Sequence, residues 1–190
     1  MPGRFLLLLA AALSVAGPAA AGDAATWAAL RAGGHVALVR HASTEPGLGD
    51  PPGYDLADCA TQRRLSETGR GEARRLGERF RSEGVAVAHV YSSPWCRCLD
   101  TARLAFGRSE AWAALGSFFD RRDREAGQTA EVRRWLADRS AAGAPGVLVL
   151  VTHHVNIAAL TGHAVGPGEV IVVRPSPEGA LAVVGRLRVP

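Results

Sequence analysis

The sequence predicts an α/β fold, a three-layer sandwich whose mostly parallel central sheet carries helices on both faces. Three observations predict it. Short apolar runs typical of buried strands recur along the chain, and segments with helical spacing separate them. The run from Val147 to Val151 is the most hydrophobic beyond the amino-terminal segment, as expected for a central strand. Strands that alternate with helices at this rhythm favour a parallel sheet covered on both faces.

The elements follow one another from residue 35 to residue 187. We predict strands at 35–39, 87–92, 147–151, 170–173 and 181–187. We predict helices at 68–82, 94–106, 129–140 and 155–161, a long loop rich in glycine and proline at 42–62, and an irregular segment at 107–127. Ser93 and Pro94 are the expected N-cap and first residue of the helix that runs to Phe106.

Residues 1–21 have the pattern of a secretory signal peptide. Arg4 supplies a positive charge, an apolar run follows, and Ala19 and Ala21 form a small-residue cleavage pattern. The run is shorter than the roughly 20 residues needed to cross a bilayer. We therefore expect cleavage and a single domain at 22–190, periplasmic or secreted and without a stable membrane anchor; an uncleaved anchor helix is the alternative.

The charged and sulfur-containing residues narrow the class of protein. All 22 basic residues are arginines, and the formal net charge is +4. The arginines are spread along the chain, which favours a small anionic substrate over nucleic acid. After export, Cys59 is expected to pair with Cys96 or Cys98, because residues two apart on a helix point in different directions. Three free buried thiols are the alternative.

Four reactive residues follow the carboxyl ends of predicted strands. Arg40 and His41 follow the first strand, Arg97 lies just past the second, and His153 follows the central one. Ligands bind at this edge of a parallel sheet. Two guanidinium groups can clamp a phosphoryl group, a neutral imidazole can attack phosphorus, and a second imidazole can bind the transferred oxygens. With no obvious carboxylate to neutralise it, this cluster predicts a site for a dianion.

Four segments in order resemble the signatures of a known family. They are VRHAST (39–44), LSETGRGEA (65–73), SSPWCRCLDTA (92–102) and VTHHVNI (151–157). They resemble the histidine phosphatase superfamily, the phosphoglycerate-mutase-like proteins, and in particular short exported bacterial members related to the lipopolysaccharide core heptose phosphatase. The resemblance implies that His41 becomes phosphorylated, that Arg40 and Arg97 bind the phosphoryl group, that His153 completes the pocket, and that no metal or cofactor is needed.

The sequence departs from the family pattern at the proton donor. Many members have an asparagine where this chain has Gly47, and a glutamate near residues 115–119 that is missing here. Asp120 is the nearest candidate for the general acid, with Asp123 and Glu125 next. Each of these carboxylates could instead be a solvated surface group.

The sequence therefore predicts an exported phosphomonoesterase acting on a phosphorylated small molecule or an envelope sugar. A phosphohistidine protein phosphatase would explain the missing acid, and a phosphomutase or a non-catalytic module that binds a phosphate group are further alternatives. A zinc site would need the imidazoles of His35, His41, His153 and His154. Neighbouring residues of a strand face opposite ways, which argues against a metal shared by the last two.

Overall fold

One six-stranded sheet organises residues 18–142 and 146–189, the part of the chain that the computed structural model describes. Except for its last four residues, the predicted signal peptide lies outside these ranges. The strands are β1 (Val36–Arg40), β2 (Val87–Ser92), β3 (Glu110–Ala111), β4 (Val147–Thr152), β5 (Val170–Pro175) and β6 (Leu181–Leu187). The helices are α1 (Pro18–Ala32), α2 (Glu67–Ser82), α3 (Cys96–Phe106), α4 (Glu125–Ala141) and α5 (His154–Thr161), with 3₁₀ turns at Cys59–Thr61, Ala113–Leu115 and Arg122–Arg124.

The strand order is β3-β2-β4-β1-β5-β6. The pairs β1/β4, β2/β4 and β2/β3 are parallel, whereas β5 runs antiparallel to both β1 and β6. The predicted fold class is therefore confirmed, with antiparallel pairing confined to the β5 and β6 side. Because β1, β2 and β4 lie side by side and parallel, the residues that follow them meet at one edge of the sheet.

The sheet is covered on both faces because strand side chains alternate between them. Every residue of β4 is buried. Val149 and Val151 pack in one cluster with residues of α1, α2 and α3, including Phe80, while Leu148 and Leu150 pack in another with residues of α4 and α5. These two clusters form the core of the three-layer arrangement. None of the helices in the described ranges combines the length and apolar character needed to cross a bilayer.

Two helices begin two or more residues away from the predicted position, whereas α2 and α5 each begin one residue earlier than predicted. Helix α3 begins at Cys96 rather than Pro94, and Trp95 is its N-cap residue. The hydroxyl of Ser93 does not cap this helix by the expected geometry, because it lies 2.8 Å from Nε2 of His153 in the buried interior. Helix α4 begins at Glu125, since a preceding 3₁₀ turn leads directly into it.

A disulfide joins the long loop to the start of α3. It links Cys59 to Cys96, with 37 residues of sequence separation, while Cys98 remains a buried free thiol. This pairing selects one of the two predicted alternatives. It also ties loop 41–66, the connection between β1 and α2, to the residue that precedes Arg97.

Candidate active site

A cavity of about 220 Å³ opens where β1, β2 and β4 end. The structure brings all four residues of the predicted phosphate pocket to its wall, together with Asp120. The remaining lining residues come from loop 41–66, from the segment after β3 and from the start of α5: Gly47, Leu48, Gly49, Asp50, Arg63, Ser117, Phe119 and His154. Sequence reasoning missed the two charged loop residues in this set, Asp50 and Arg63.

The backbone at the end of β1 fixes the position of His41. Its N–H donates to the carbonyl of Thr152 at 3.0 Å, and its carbonyl accepts from the N–H of Gly168 at 3.2 Å. The ring nitrogen Nδ1 lies 2.9 Å from the carbonyl oxygen of Ala42 and must donate to it. In the neutral ring, Nε2 therefore keeps the lone pair that a nucleophile needs.

The surroundings of His41 keep this imidazole neutral. Burial lowers its pKa from the ordinary value of 6.5 to about 3, and the positive charges of Arg97 and Arg40 act in the same direction. The ring is thus unprotonated at any physiological pH. A neutral, buried imidazole beside guanidinium groups is suited to attack an anionic phosphoryl group that those groups bind.

The chain that follows His41 is fixed by helix α2. Glu72 accepts hydrogen bonds from the backbone N–H of Ser43 at 2.8 Å and from its hydroxyl at 2.9 Å. A Cβ atom at Gly69 would lie 1.9 Å from the carbonyl oxygen of Ser43, so only glycine allows this approach. The segment LSETGRGEA thus has a structural role, because it packs α2 against the backbone beside His41.

His153 lies next to His41, and their ring centroids are 5.4 Å apart. Its Nε2 is 2.8 Å from the hydroxyl of Ser93, which also accepts from the N–H of Trp95 at 3.3 Å. In the tautomer whose Nε2 accepts from this hydroxyl, the ring proton lies on Nδ1 as a donor. Burial, and next the repulsion that two protonated rings would exert on each other, lower the pKa of His153 well below its ordinary value. The second imidazole is thus a neutral hydrogen-bond donor.

Three arginines contribute incompletely satisfied guanidinium groups to the cavity. Nη1 of Arg40 donates to the carbonyl of Val165, and Nη1 of Arg63 donates to that of Gly47. Within the described part of the chain, the Nε atoms of Arg40, Arg63 and Arg97 are buried without a hydrogen-bond partner. Burial lowers the pKa values of Arg40 and Arg63, and the neighbouring arginines lower them further. Buried unpaired donors on crowded cations indicate a site for an anion.

The expectation that no carboxylate faces these cations was wrong. Asp50 forms an ion pair with Arg97 at 2.7 Å, and each side chain is only 4% exposed. Asp50 lies in a glycine- and proline-rich loop that has no periodicity, so nothing in the sequence indicated where its side chain would lie.

The candidates for other roles separate clearly in space. Asp120 is exposed at the cavity wall, whereas neither Asp123 nor Glu125 lines the cavity; they pair with the neighbouring Arg121 and Arg122. Of the three proposed acids, Asp120 alone lines the cavity. The four-histidine zinc hypothesis fails because His35 lies at the opposite end of β1, where Nδ1 bonds the carbonyl of Gly33 at 2.6 Å.

Three of the solved structures with a similar fold are phosphatases by name. The protein histidine phosphatase SixA, complexed with tungstate, is 16% identical, with a TM-score of 0.59 over 80% of this chain and 96% of that one. Phosphoserine phosphatase from Entamoeba histolytica, complexed with 3-phosphoglyceric acid, is 15% identical, with a TM-score of 0.58 over 81% and 96%. A mycobacterial glucosyl-3-phosphoglycerate phosphatase is 17% identical, with a TM-score of 0.54 over 73% and 89%. At these identities the similarity establishes the fold.

A family model gives the sequence-level match. Residues 36–118, which contain Arg40, His41 and Arg97, match the histidine phosphatase superfamily (branch 1). No curated protein matches the chain. This match covers less than half of the chain; it shows similarity to that superfamily and agrees with the shared fold.

Proposed function

We propose that the protein is an exported, metal-independent phosphomonoesterase that hydrolyses a phosphorylated small molecule or an envelope sugar through a phosphohistidine on His41. One observation carries the proposal. Three arginines, Arg40, Arg63 and Arg97, line the same cavity as a neutral imidazole whose Nε2 keeps its lone pair, and within the described ranges the buried Nε of each has no hydrogen-bond partner. An anion would satisfy the guanidinium groups, and a phosphoryl group is the anion that an imidazole can also accept.

The reaction proceeds in two steps. Nε2 of His41 attacks phosphorus, the P–O bond to the leaving group breaks, and Asp120 in its protonated form donates to the departing oxygen. Water then attacks the phosphohistidine, the P–N bond breaks, and the Asp120 carboxylate takes the proton of the water. Arg40, Arg97 and the Nδ1–H of His153 bind the non-bridging oxygens throughout and stabilise the charge in both transition states. Inorganic phosphate leaves, and His41 returns to its neutral form.

The cavity size and the amino-terminal segment support the choice of substrate and location. At about 220 Å³ the cavity is smaller than the roughly 300–1,000 Å³ typical of sites for drug-sized ligands, which favours a compact phosphorylated molecule. Export is supported by the signal-peptide pattern of residues 1–21 and by the Cys59–Cys96 disulfide, a bond that persists in oxidising compartments.

A phosphohistidine protein phosphatase is the second candidate. It is favoured by the fold similarity to a protein histidine phosphatase and by the exposure of Asp120, the acid that an alkyl phosphate would require. The nitrogen leaving group of phosphohistidine needs less help from an acid. The signal peptide that we predict at residues 1–21 argues against this candidate, because export would separate the chain from phosphohistidine proteins inside the cell.

Phosphate transfer to His41 is the direct test. Protein without residues 1–21 is mixed with phosphorylated sugars, nucleotides or a phosphohistidine peptide, quenched rapidly, and analysed for acid-labile, base-stable phosphate. We expect labelled wild type, and phosphate release that falls roughly 1,000-fold or more in His41→Ala. His163→Ala, which changes an exposed histidine outside the cavity, is the matched control.

Each outcome bears on a different part of the proposal. A folded His41→Ala variant that keeps more than a few per cent of the activity would exclude the covalent mechanism. Inhibition by EDTA that zinc or magnesium reverses would exclude metal independence. A peptide substrate that turns over much faster than every sugar phosphate would select the protein phosphatase.

A further inference from the structure

Asp50 is a buried carboxylate with a complete set of hydrogen-bond donors. Oδ1 accepts from Nη1 of Arg97 at 2.7 Å and from the backbone N–H of Arg63 at 3.0 Å, while Oδ2 accepts from Nε1 of Trp95 at 3.0 Å. Both oxygens of Asp50 are thus occupied as acceptors, and one donor is the guanidinium of its ion-pair partner Arg97. The proposed reaction gives this carboxylate no role so far.

The carboxylate of Asp50 has two opposite effects on phosphate recognition: it orients Arg97, and it repels the phosphate itself. Asp50 accepts from one terminal nitrogen of the guanidinium and fixes the plane of the group, while the buried Nε has no hydrogen-bond partner among the residues that the structure describes. An arginine held on one side presents its other donors in a defined direction, which favours recognition of a transition state of fixed geometry. The same negative charge repels a phosphate dianion that enters the cavity, so it weakens binding of the ground state.

Contacts within loop 41–66 and between this loop and α3 fix the position of Asp50. Asp50 accepts a hydrogen bond from the backbone N–H of Arg63, so the carboxylate also helps to position the third arginine of the cavity. The disulfide at Cys59 and the hydrogen bond from the N–H of Cys96 to Oε1 of Gln62 at 2.9 Å attach this loop to the beginning of α3. The carboxylate therefore has a fixed location and does not depend on an exposed side chain finding Arg97 in solution.

We propose that Asp50 is a positioning residue that orients Arg97 for phosphoryl transfer and, through its charge, keeps phosphate itself weakly bound. The proposal rests on the phosphatase function argued above. It predicts that loss of the charge slows transfer to His41 without weakening the binding of phosphate, a separation that a residue needed only for folding would not produce.

The test compares Asp50→Asn and Asp50→Ala with wild type. Two quantities are measured: the single-turnover rate of His41 phosphorylation and the Kd of inorganic phosphate by calorimetry. For Asp50→Asn we expect a rate roughly 10-fold or more below wild type and a Kd that is equal or lower. Asp50→Ala should be slower still, because asparagine keeps an acceptor for Trp95 or Arg97. Asp55→Asn, in an exposed part of the same loop, is the matched control.

A second variant covers the case in which Asp50→Asn does not fold. Trp95→Phe keeps one aromatic ring and removes the donor to Oδ2 together with part of a buried indole, so it should slow transfer by a smaller factor and leave the Kd unchanged. A wild-type rate in folded Asp50→Asn would overturn the proposal, and so would a loss of phosphate affinity that parallels the loss of rate. If wild type forms no phosphohistidine, the proposed function fails instead, while a tighter Kd in Asp50→Asn would still support repulsion of phosphate by Asp50.

Discussion

The cavity has two parts that the fold builds in different ways. The sheet-edge group, Arg40, His41, Arg97 and His153, follows the ends of three adjacent parallel strands. The loop group, Leu48, Asp50 and Arg63, comes from a connection without regular strands or helices beyond one 3₁₀ turn. Strand ends are fixed by the core of the protein, whereas the loop depends on a disulfide and a few side-chain contacts. We therefore expect the sheet-edge group to carry out phosphoryl transfer and the loop group to modify its rate.

Alanine substitutions of Arg97, which is buried, and Arg63, which is half-buried, give the largest expected contrast. Arg97→Ala should lower the rate of His41 phosphorylation by roughly 1,000-fold, and Arg63→Ala by roughly 10-fold, because Arg97 lies at the sheet edge and Arg63 in the loop. Arg97→Lys should stay badly impaired, since a point charge cannot replace the planar fork. The measurement is the single-turnover rate of His41 phosphorylation in each variant. Equal losses for the two alanine variants would contradict the division into two groups.

Removal of the disulfide should affect mainly the loop group. The double variant Cys59→Ser with Cys96→Ser should lose about 4 kcal/mol of unfolding free energy, because the bond closes a long loop in the unfolded chain. Denaturant unfolding measures the loss. Reducing agent should destabilise wild type and leave the double variant unchanged, which is the control. A double variant as stable as wild type would show that noncovalent contacts alone fix the loop.

Asp120 belongs to neither group, and its variant tests whether the cavity has a proton donor. Asp120→Asn should lower kcat on a sugar phosphate by roughly 100-fold and barely change it on p-nitrophenyl phosphate, whose leaving group needs little protonation. Asp123→Asn and Glu125→Gln are matched controls, because these carboxylates do not line the cavity. Small, equal effects on both substrates would clear Asp120 of this role.

The depressed pKa of His41 predicts a pH dependence of stability. Its folded pKa is about 3, so between pH 7 and pH 5 the unfolded chain takes up a proton at this residue and the folded protein does not. The free energy of unfolding therefore decreases as the pH is lowered from 7 to 5, by about 2 kcal/mol from His41 alone. Urea unfolding of wild type and His41→Gln at both pH values measures it. If the unfolding free energy changed by the same amount between pH 7 and pH 5 in wild type and in His41→Gln, the imidazole of His41 would not be buried and neutral.

The two groups also differ in how far the sequence predicted them. Apolar runs located the ends of β1 and β4, so the positions of Arg40, His41 and His153 followed from simple periodicity. The contacts of Asp50 depend on a fold of glycine and proline residues that no local pattern specifies. The sequence placed Ser93 correctly just before α3 but predicted the wrong role for it. A serine before a proline is typical of a helix start, and no local pattern indicates that its hydroxyl bonds a buried histidine instead.

The unpartnered guanidinium nitrogens make the measured stability of this protein depend on its buffer. Crowded cations with unsatisfied donors destabilise the folded state when the cavity holds no anion. An anion that binds only the folded state adds to its stability by mass action, about 2.7 kcal/mol at a concentration 100 times the Kd. Phosphate, sulfate or tungstate in the medium would raise the melting temperature, whereas chloride would do so less. Stabilities of variants at this cavity are therefore comparable only when the anion and its concentration are the same.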